Sequence, residues 1–283
     1  MHNLRKNFDR ILAIVKSLLK HKVDEHGNLK KVGPRAKFSD LEVITLSLLA
    51  DSLLIDSENY LFKLLQGAHR DAFPNLIDRS NYNRRRRALT PLIEAVRQAL
   101  IQNLVPYEDT FVLDSMPLEI CQFARAKRIK ICHESVDTAP AFGYCAVHSR
   151  HYYGYKIHGV CTMNGVITSF DLAPANVADI HDLQDIKHQY SGCLLLGDKG
   201  YLSAPLQTKL FQKNRLLLKT PMRWNQTNFM KQPAVFRKVR KQIETIFSQW
   251  CDHFLIRRNY AKTFKGLAPE SCPKSRLSPC YNM

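Results

Sequence analysis

An α/β protein, with a mixed sheet preceded by a helical region, is predicted by one change in the apolar pattern and by the order of segments after it. Apolar residues recur at helical spacing as far as about residue 105. Beyond Pro106 short apolar runs ending in carboxylates alternate with amphipathic segments. The third observation is charge: the 283 residues carry 42 Lys and Arg against 25 Asp and Glu, a formal +17 with pI near 9.6. Such an excess strains a folded chain by self-repulsion unless a polyanion relieves it, so nucleic acid is the leading partner and an anionic membrane surface the second. With 45% apolar and 10% aromatic residues, disorder is excluded as the dominant state.

The helical region, 1–105, opens with Phe8, Ile11, Leu12, Val15, Leu18 and Leu19 on one face. Ser39 and Glu42 form a capping-box pattern before an apolar run from Leu41 to Leu54. Thr90 followed by Pro91 reads as an N-cap and first turn, continued by Leu92, Val96, Ala99 and Leu100. Between them Arg84, Arg85, Arg86 and Arg87 form a run read either as a solvated face or, in a basic chain, as forks for phosphate oxygens. The second reading makes this a DNA-binding region.

The next region, 106–267, is read as strands and helices in alternation. Thr110 to Leu113 is a buried strand closed by Asp114. Tyr155 to Cys161 and Val166 to Leu172 are antiparallel neighbours joined at Asn164-Gly165. A helix over about Ile180 to His188 leads to Cys193–Gly197, closed by Asp198. A helix from Leu202 to Gln212 leads to a strand at Leu216 to Lys219. A long helix, about Ala234 to Trp250, carries Val235, Val239, Ile243, Ile246, Phe247 and Trp250 as a stripe. Three strands, helix, strand, helix, strand, helix is the order of a ribonuclease-H-like catalytic domain.

Three acidic residues stand out by position. Asp114 and Asp198 close strands, where ligand sites of open α/β sheets lie. Glu244 follows Ile243 at the edge of the stripe and can face the sheet. Three carboxylates drawn together repel one another and raise their own pKa values unless a cation neutralises them. Mg²⁺ or Mn²⁺ suits such oxygen ligands and accepts substrate phosphates. The structural alternatives are that each aspartate caps a turn and that Glu244 pairs with Arg240 one turn earlier. No His falls in H-x₃-H or H-E-x-x-H, Ser115 lacks a nucleophile elbow, and the eight cysteines form no C-x-x-C.

The longest apolar stretch, Val43 to Ile55, is broken by Thr45, Ser47, Asp51 and Ser52 and is too short to cross a bilayer. The run Ile11 to Leu19 contains Lys16 and has no cleavage site after it, so a cytoplasmic location is expected.

The segments Phe111-Val112-Leu113-Asp114-Ser115, Gly143-Tyr144-Cys145-Ala146, Tyr153-Gly154-Tyr155-Lys156-Ile157-His158, Leu196-Gly197-Asp198-Lys199-Gly200-Tyr201 and Arg240 to Gln249 resemble those of bacterial insertion-sequence transposases of the Asp-Asp-Glu type, most of all the subgroup numbered nine-eight-two. The resemblance runs from the N-terminal helices to about Leu267. It implies that Asp114, Asp198 and Glu244 are the catalytic, metal-binding triad for Mg²⁺ or Mn²⁺. It implies cleavage of double-stranded DNA at the ends of a mobile element, transfer of a 3′ hydroxyl to target DNA, and a homodimer or larger assembly on DNA. Lys156, Lys199, Tyr201 and Arg240 become candidates for phosphate contacts beside the triad.

The tail 268–283 departs from that pattern, because three prolines and two cysteines replace the apolar helix the resemblance implies. A single-nucleotide shift of the reading frame is the hypothesis this departure raises, and a catalytically inactive copy that only binds the element's ends is the first alternative. A host nuclease of the same fold is the second.

Overall fold

The computed structural model describes residues 4–30, 32–55, 57–105, 107–186, 189–222, 224–225, 229–253, 256–257, 261–264 and 266–267. The atypical tail lies outside the described residues. The chain divides into two compact units, one through Leu100 and one from Ile101.

The first unit holds α1 (Leu4–Leu19), α2 (Asp40–Ser52), α3 (Glu58–Gln66), α4 (Arg79–Ala88) and most of α5 (Thr90–Leu104). The predicted capping box forms: Ser39 N–H donates to Glu42 Oε2 at 2.6 Å and Glu42 N–H donates to Ser39 Oγ at 3.2 Å. Helix α2 is buried almost all round, Thr45 and Ser47 included, with Leu41, Val43, Ile44, Leu46 and Leu49 as its apolar part. Phe8, Val15, Leu61, Leu65, Tyr82, Ile93 and Val96 join them in one core. Each such side chain contributes about 1.5–3 kcal/mol. Thr90 does not cap α5. Its hydroxyl donates to Arg87 O at 2.8 Å and so satisfies a carbonyl at the end of α4.

The second unit is a six-stranded mixed sheet with helices. Its elements in order are β1 (Thr110–Glu119), β2 (Ala141–Cys145), β3 (Arg150–Thr162), β4 (Ile167–Pro174), α6 (Asp179–Ile186), β5 (Leu194–Leu196), α7 (Ala204–Asn214), β6 (Leu217–Lys219) and α8 (Ala234–His253). The sheet runs β2-β3-β1-β5-β6, with β4 also paired to β3. Strands β1, β2 and β4 are antiparallel to β3, while β5 and β6 continue parallel to β1. The Asn164-Gly165 hairpin joins β3 to β4 as expected, with Gly165 at φ +83° where a side chain would be strained.

Three expectations are corrected. The sheet has a further short strand, β2. Strand β1 does not end at Leu113; its ladder with β3 continues from Phe111 to Glu119. The stripe on α8 begins only at Ile243, because Val235 is exposed while Ile243, Ile246, Phe247 and Trp250 are buried.

Candidate active site

The register of the sheet fixes where the carboxylates stand. Val112 pairs with Leu196 on the parallel strand β5, so Asp114 and Asp198 each lie two residues beyond the same rung. Strand β5 stops at Leu196, which leaves the β5 side of β1 open at the level of Asp114. On its other side Asp114 pairs with Gly159 of β3, and paired residues share a face of the sheet. A Cβ on Gly159 would stand 3.1 Å from the Phe247 ring and 3.7 Å from Ile243. Helix α8 therefore packs on the Asp114 face, seated there by the absence of a side chain on Gly159. This helix carries Arg240 and Glu244.

The electrostatics agree with that placement. Asp114 is pushed up to about 6, chiefly by burial and further by the charges of Asp198 and Glu244. The Ser115 N–H, 2.8 Å from Asp114 Oδ1, and the Arg240 guanidinium oppose the rise. Arg240 Nη2 lies 3.1 Å from Asp198 Oδ1, with the arginine largely buried. The three predicted carboxylates and Arg240 thus share one electrostatic neighbourhood.

Neither structural alternative accounts for them. Asp114 sits within a strand rather than in a turn. Asp198 occupies the N-cap position of the turn Lys199–Tyr201, yet its side chain makes no capping hydrogen bond. Arg240 bonds Asp198 instead of Glu244, which is exposed. Among the described residues no three His, Cys, Asp or Glu side chains stand close enough to hold one ion. The donor set nevertheless suits a hard divalent cation: all three candidates offer carboxylate oxygens, and the charges of Asp198 and Glu244 add to the burial that raises Asp114.

The remaining candidates separate into two groups. Lys199 is exposed next to Asp198, and Arg84 and Arg87 are exposed on α4. Arg85 instead reaches the buried Asp40 at 2.7 Å and the Phe38 carbonyl at 2.6 Å. Arg86 lies 3.1 Å from Glu58. Lys156 donates to Asp179 at 2.9 Å and to the Val177 carbonyl at 2.8 Å. Tyr201 is buried, with its hydroxyl 3.3 Å from His158 Nδ1, so it packs the core rather than facing a phosphate. His158 pairs with Ser115 and so faces away from Asp114; burial holds it down at about 4.

One residue escaped the sequence reading. Asp179, at the start of α6, anchors Lys156 and lies against Gly200, where a Cβ would meet its Oδ2 at 2.9 Å. It thereby braces the loop after Asp198. The Asn176-Val177-Ala178-Asp179 stretch before an amphipathic segment was the available signal, since an Asp there reads as a helix start.

Among the described residues no helix is long and apolar enough to cross a membrane. No curated protein and no solved structure matches the chain. The Transposase DDE domain family matches residues 108–268, more than half of the chain and the whole span from β1 to α8. The mixed sheet and flanking helices have the ribonuclease-H-like arrangement expected of that domain. With one carboxylate on β1, one just beyond the adjacent strand β5 and one on the helix packed on the β1 face, all inside the matched span, the chain belongs to the Transposase DDE domain family.

Proposed function

We propose that this transposase cuts phosphodiesters at the ends of its mobile element and joins the exposed 3′ hydroxyl to target DNA, with Asp114, Asp198 and Glu244 as catalytic and metal-binding triad. The observation that carries the reading is the shared level of Asp114 on β1 and Asp198 just past the end of the adjacent parallel strand β5, with α8 packed over the Asp114 face. The five motifs similar to the nine-eight-two subgroup support placement there.

Asp114, Asp198 and Glu244 would hold Mg²⁺ or Mn²⁺. A pair of such ions, when bound, supplies Lewis-acid activation of an attacking oxygen and stabilisation of the leaving one. The chain's own residues set the conditions. The Ser115 N–H holds one oxygen of Asp114 on the face that α8 covers. Arg240 holds Asp198 in place and offers a guanidinium to a substrate phosphate. Lys199 presents its ammonium to the backbone at the strand end, while Asp179 and Lys156 brace the loop that carries it. Arg84 and Arg87 supply phosphate contacts from the helical region, 1–105, which serves as the DNA-binding part. Arg85, Arg86 and Tyr201 support these surfaces from within. We infer double-stranded DNA ends and target as partners, a homodimer or larger assembly to join two ends, and a cytoplasmic location.

The test is cleavage of a labelled duplex bearing the element's ends, with Mg²⁺ or Mn²⁺ against EDTA, for the wild type and Asp198→Asn. Cleavage that needs both the metal and Asp198 is expected. End-specific binding without any cleavage would overturn the reading in favour of a binder only.

A further inference from the structure

The second unit exposes a cluster of aromatic rings that the triad does not use. Phe142 and Tyr144 on β2 pair with Tyr153 and His151 on β3, so all four stand on one face of the sheet. The rings touch in sequence: Tyr144 to His151 at 5.0 Å, His151 to Phe123 at 6.3 Å, Phe123 to Phe142 at 5.7 Å and Phe142 to Tyr153 at 4.8 Å. Only Tyr153 is buried; Phe123, Phe142 and Tyr144 are 51%, 48% and 56% exposed. Single exposed rings are unremarkable, but a contiguous set kept out of a core needs an occupant.

Two observations identify that occupant. The turn that supplies Phe123 (Phe123–Arg128) also carries Arg125, Lys127 and Arg128, all exposed, and His148 is exposed in the β2–β3 turn. Arg125, Lys127 and Arg128 make this rim cationic, and Glu119 nearby on β1 is already paired with Arg150 at 2.5 Å. Two such rims would repel across a contact between copies, whereas a polyanion complements them. The second observation is position. By strand alternation Tyr153 and His151 share the face of Gly159, and hence of Asp114. Tyr153 lies six residues up β3 from Gly159, or about 20 Å at about 3.3 Å per residue.

We propose that this ring cluster is a stacking platform for unpaired bases of a DNA strand running on from the phosphodiester at the carboxylates. Paired bases inside a duplex hide their faces from such rings, whereas an unpaired strand offers a base face to each ring and phosphates to the rim. This inference rests on the reading that the chain acts on DNA.

The experiment uses the full chain and two labelled DNAs, a blunt duplex and the same duplex with a short unpaired extension containing 2-aminopurine. The extension should tighten wild-type binding about tenfold, and 2-aminopurine emission should fall on binding. Tyr144→Ala, which removes an exposed ring from the end of the cluster, should abolish most of that gain and leave blunt-duplex binding unchanged. Tyr144→Phe should restore it, and Phe123→Ala gives an independent second removal. Equal wild-type affinity for both DNAs, or a Tyr144→Ala loss that is the same for both, would overturn the platform. So would dissociation of a self-associated chain by Tyr144→Ala with the extension gain intact, which would assign the patch to a second copy. A wild type that binds neither DNA removes the DNA reading and this inference together. Metal-dependent end cleavage with an unaltered gain in both ring variants removes this inference alone.

Discussion

Helix α4 and the carboxylate site handle concentrated charge in opposite ways. On α4 the two inward arginines each have an acid of their own: Arg85 has Asp40 and Arg86 has Glu58. At the sheet, Arg240 bonds Asp198, and Asp114 remains raised to about 6, chiefly by burial and further by the charges of Asp198 and Glu244. Charge that is matched locally holds a fold together. Charge left over marks the place where something from outside must complete the balance.

The largest effect should come from breaking the unmatched side. Asp114→Asn or Asp198→Asn should lower metal-dependent cleavage by at least about a thousandfold while end binding persists, as read from product formation and gel shift on the same preparations. On the matched side, Arg85→Ala leaves the buried Asp40 carboxylate without its guanidinium and should cost about 3 kcal/mol, measured by urea unfolding. If Arg85 instead serves DNA alone, that substitution would weaken binding without moving the midpoint.

The same comparison predicts a stabilising change at the active site. Asp114 binds its proton more tightly folded than unfolded, so stability falls as pH rises from about 3.8 to about 6, and the full penalty is present above that. In EDTA at pH 8, Asp114→Asn should therefore stabilise the chain by about 2–3 kcal/mol, an advantage that disappears near pH 4. A variant that destabilises equally at both pH values would show that the carboxylate is matched after all. The smallest effects belong to the exposed arginines. Arg84→Ala and Arg87→Ala should each change stability by less than about 0.5 kcal/mol and reduce the salt dependence of DNA binding by about one unit of slope.

Much of the sheet was legible because its signals are local. Asn164-Gly165 dictates a hairpin, and Leu194-Leu195-Leu196 before Gly197-Asp198 dictates a buried strand with an acid at its end. Strand β2 was not legible, because Phe142 and Tyr144 face outward and give the pattern of a loop with aromatics rather than apolar-in alternation. The second half of β1 was hidden by Asp114, Ser115 and Pro117, which local propensity opposes and the β3 ladder overrides. Asp114 and Asp198 could be proposed from apolar runs that lead into an acid, and Glu244 from its place beside the α8 stripe. Their counter-ion could not, since Arg240 is one turn from Glu244 in sequence but reaches Asp198 in space. The arginine run does not itself tell inward from outward side chains, since nothing near Arg85 and Arg86 in sequence announces Asp40 or Glu58. Lys156 and Tyr201 lie in motifs of the right chemistry, yet one is tied to Asp179 and the other is buried against His158.

The central claim is that Asp114, Asp198 and Glu244 serve one cation site. Electron paramagnetic resonance of free Mn²⁺, titrated with the wild type, Asp114→Asn, Asp198→Asn, Glu244→Gln and Asp179→Asn, tests it most directly. Mn²⁺ binding should weaken about tenfold or more in each of the first three variants and persist in Asp179→Asn, whose carboxylate is matched by Lys156. Undiminished binding in Glu244→Gln, or an equal loss in Asp179→Asn, would contradict the account.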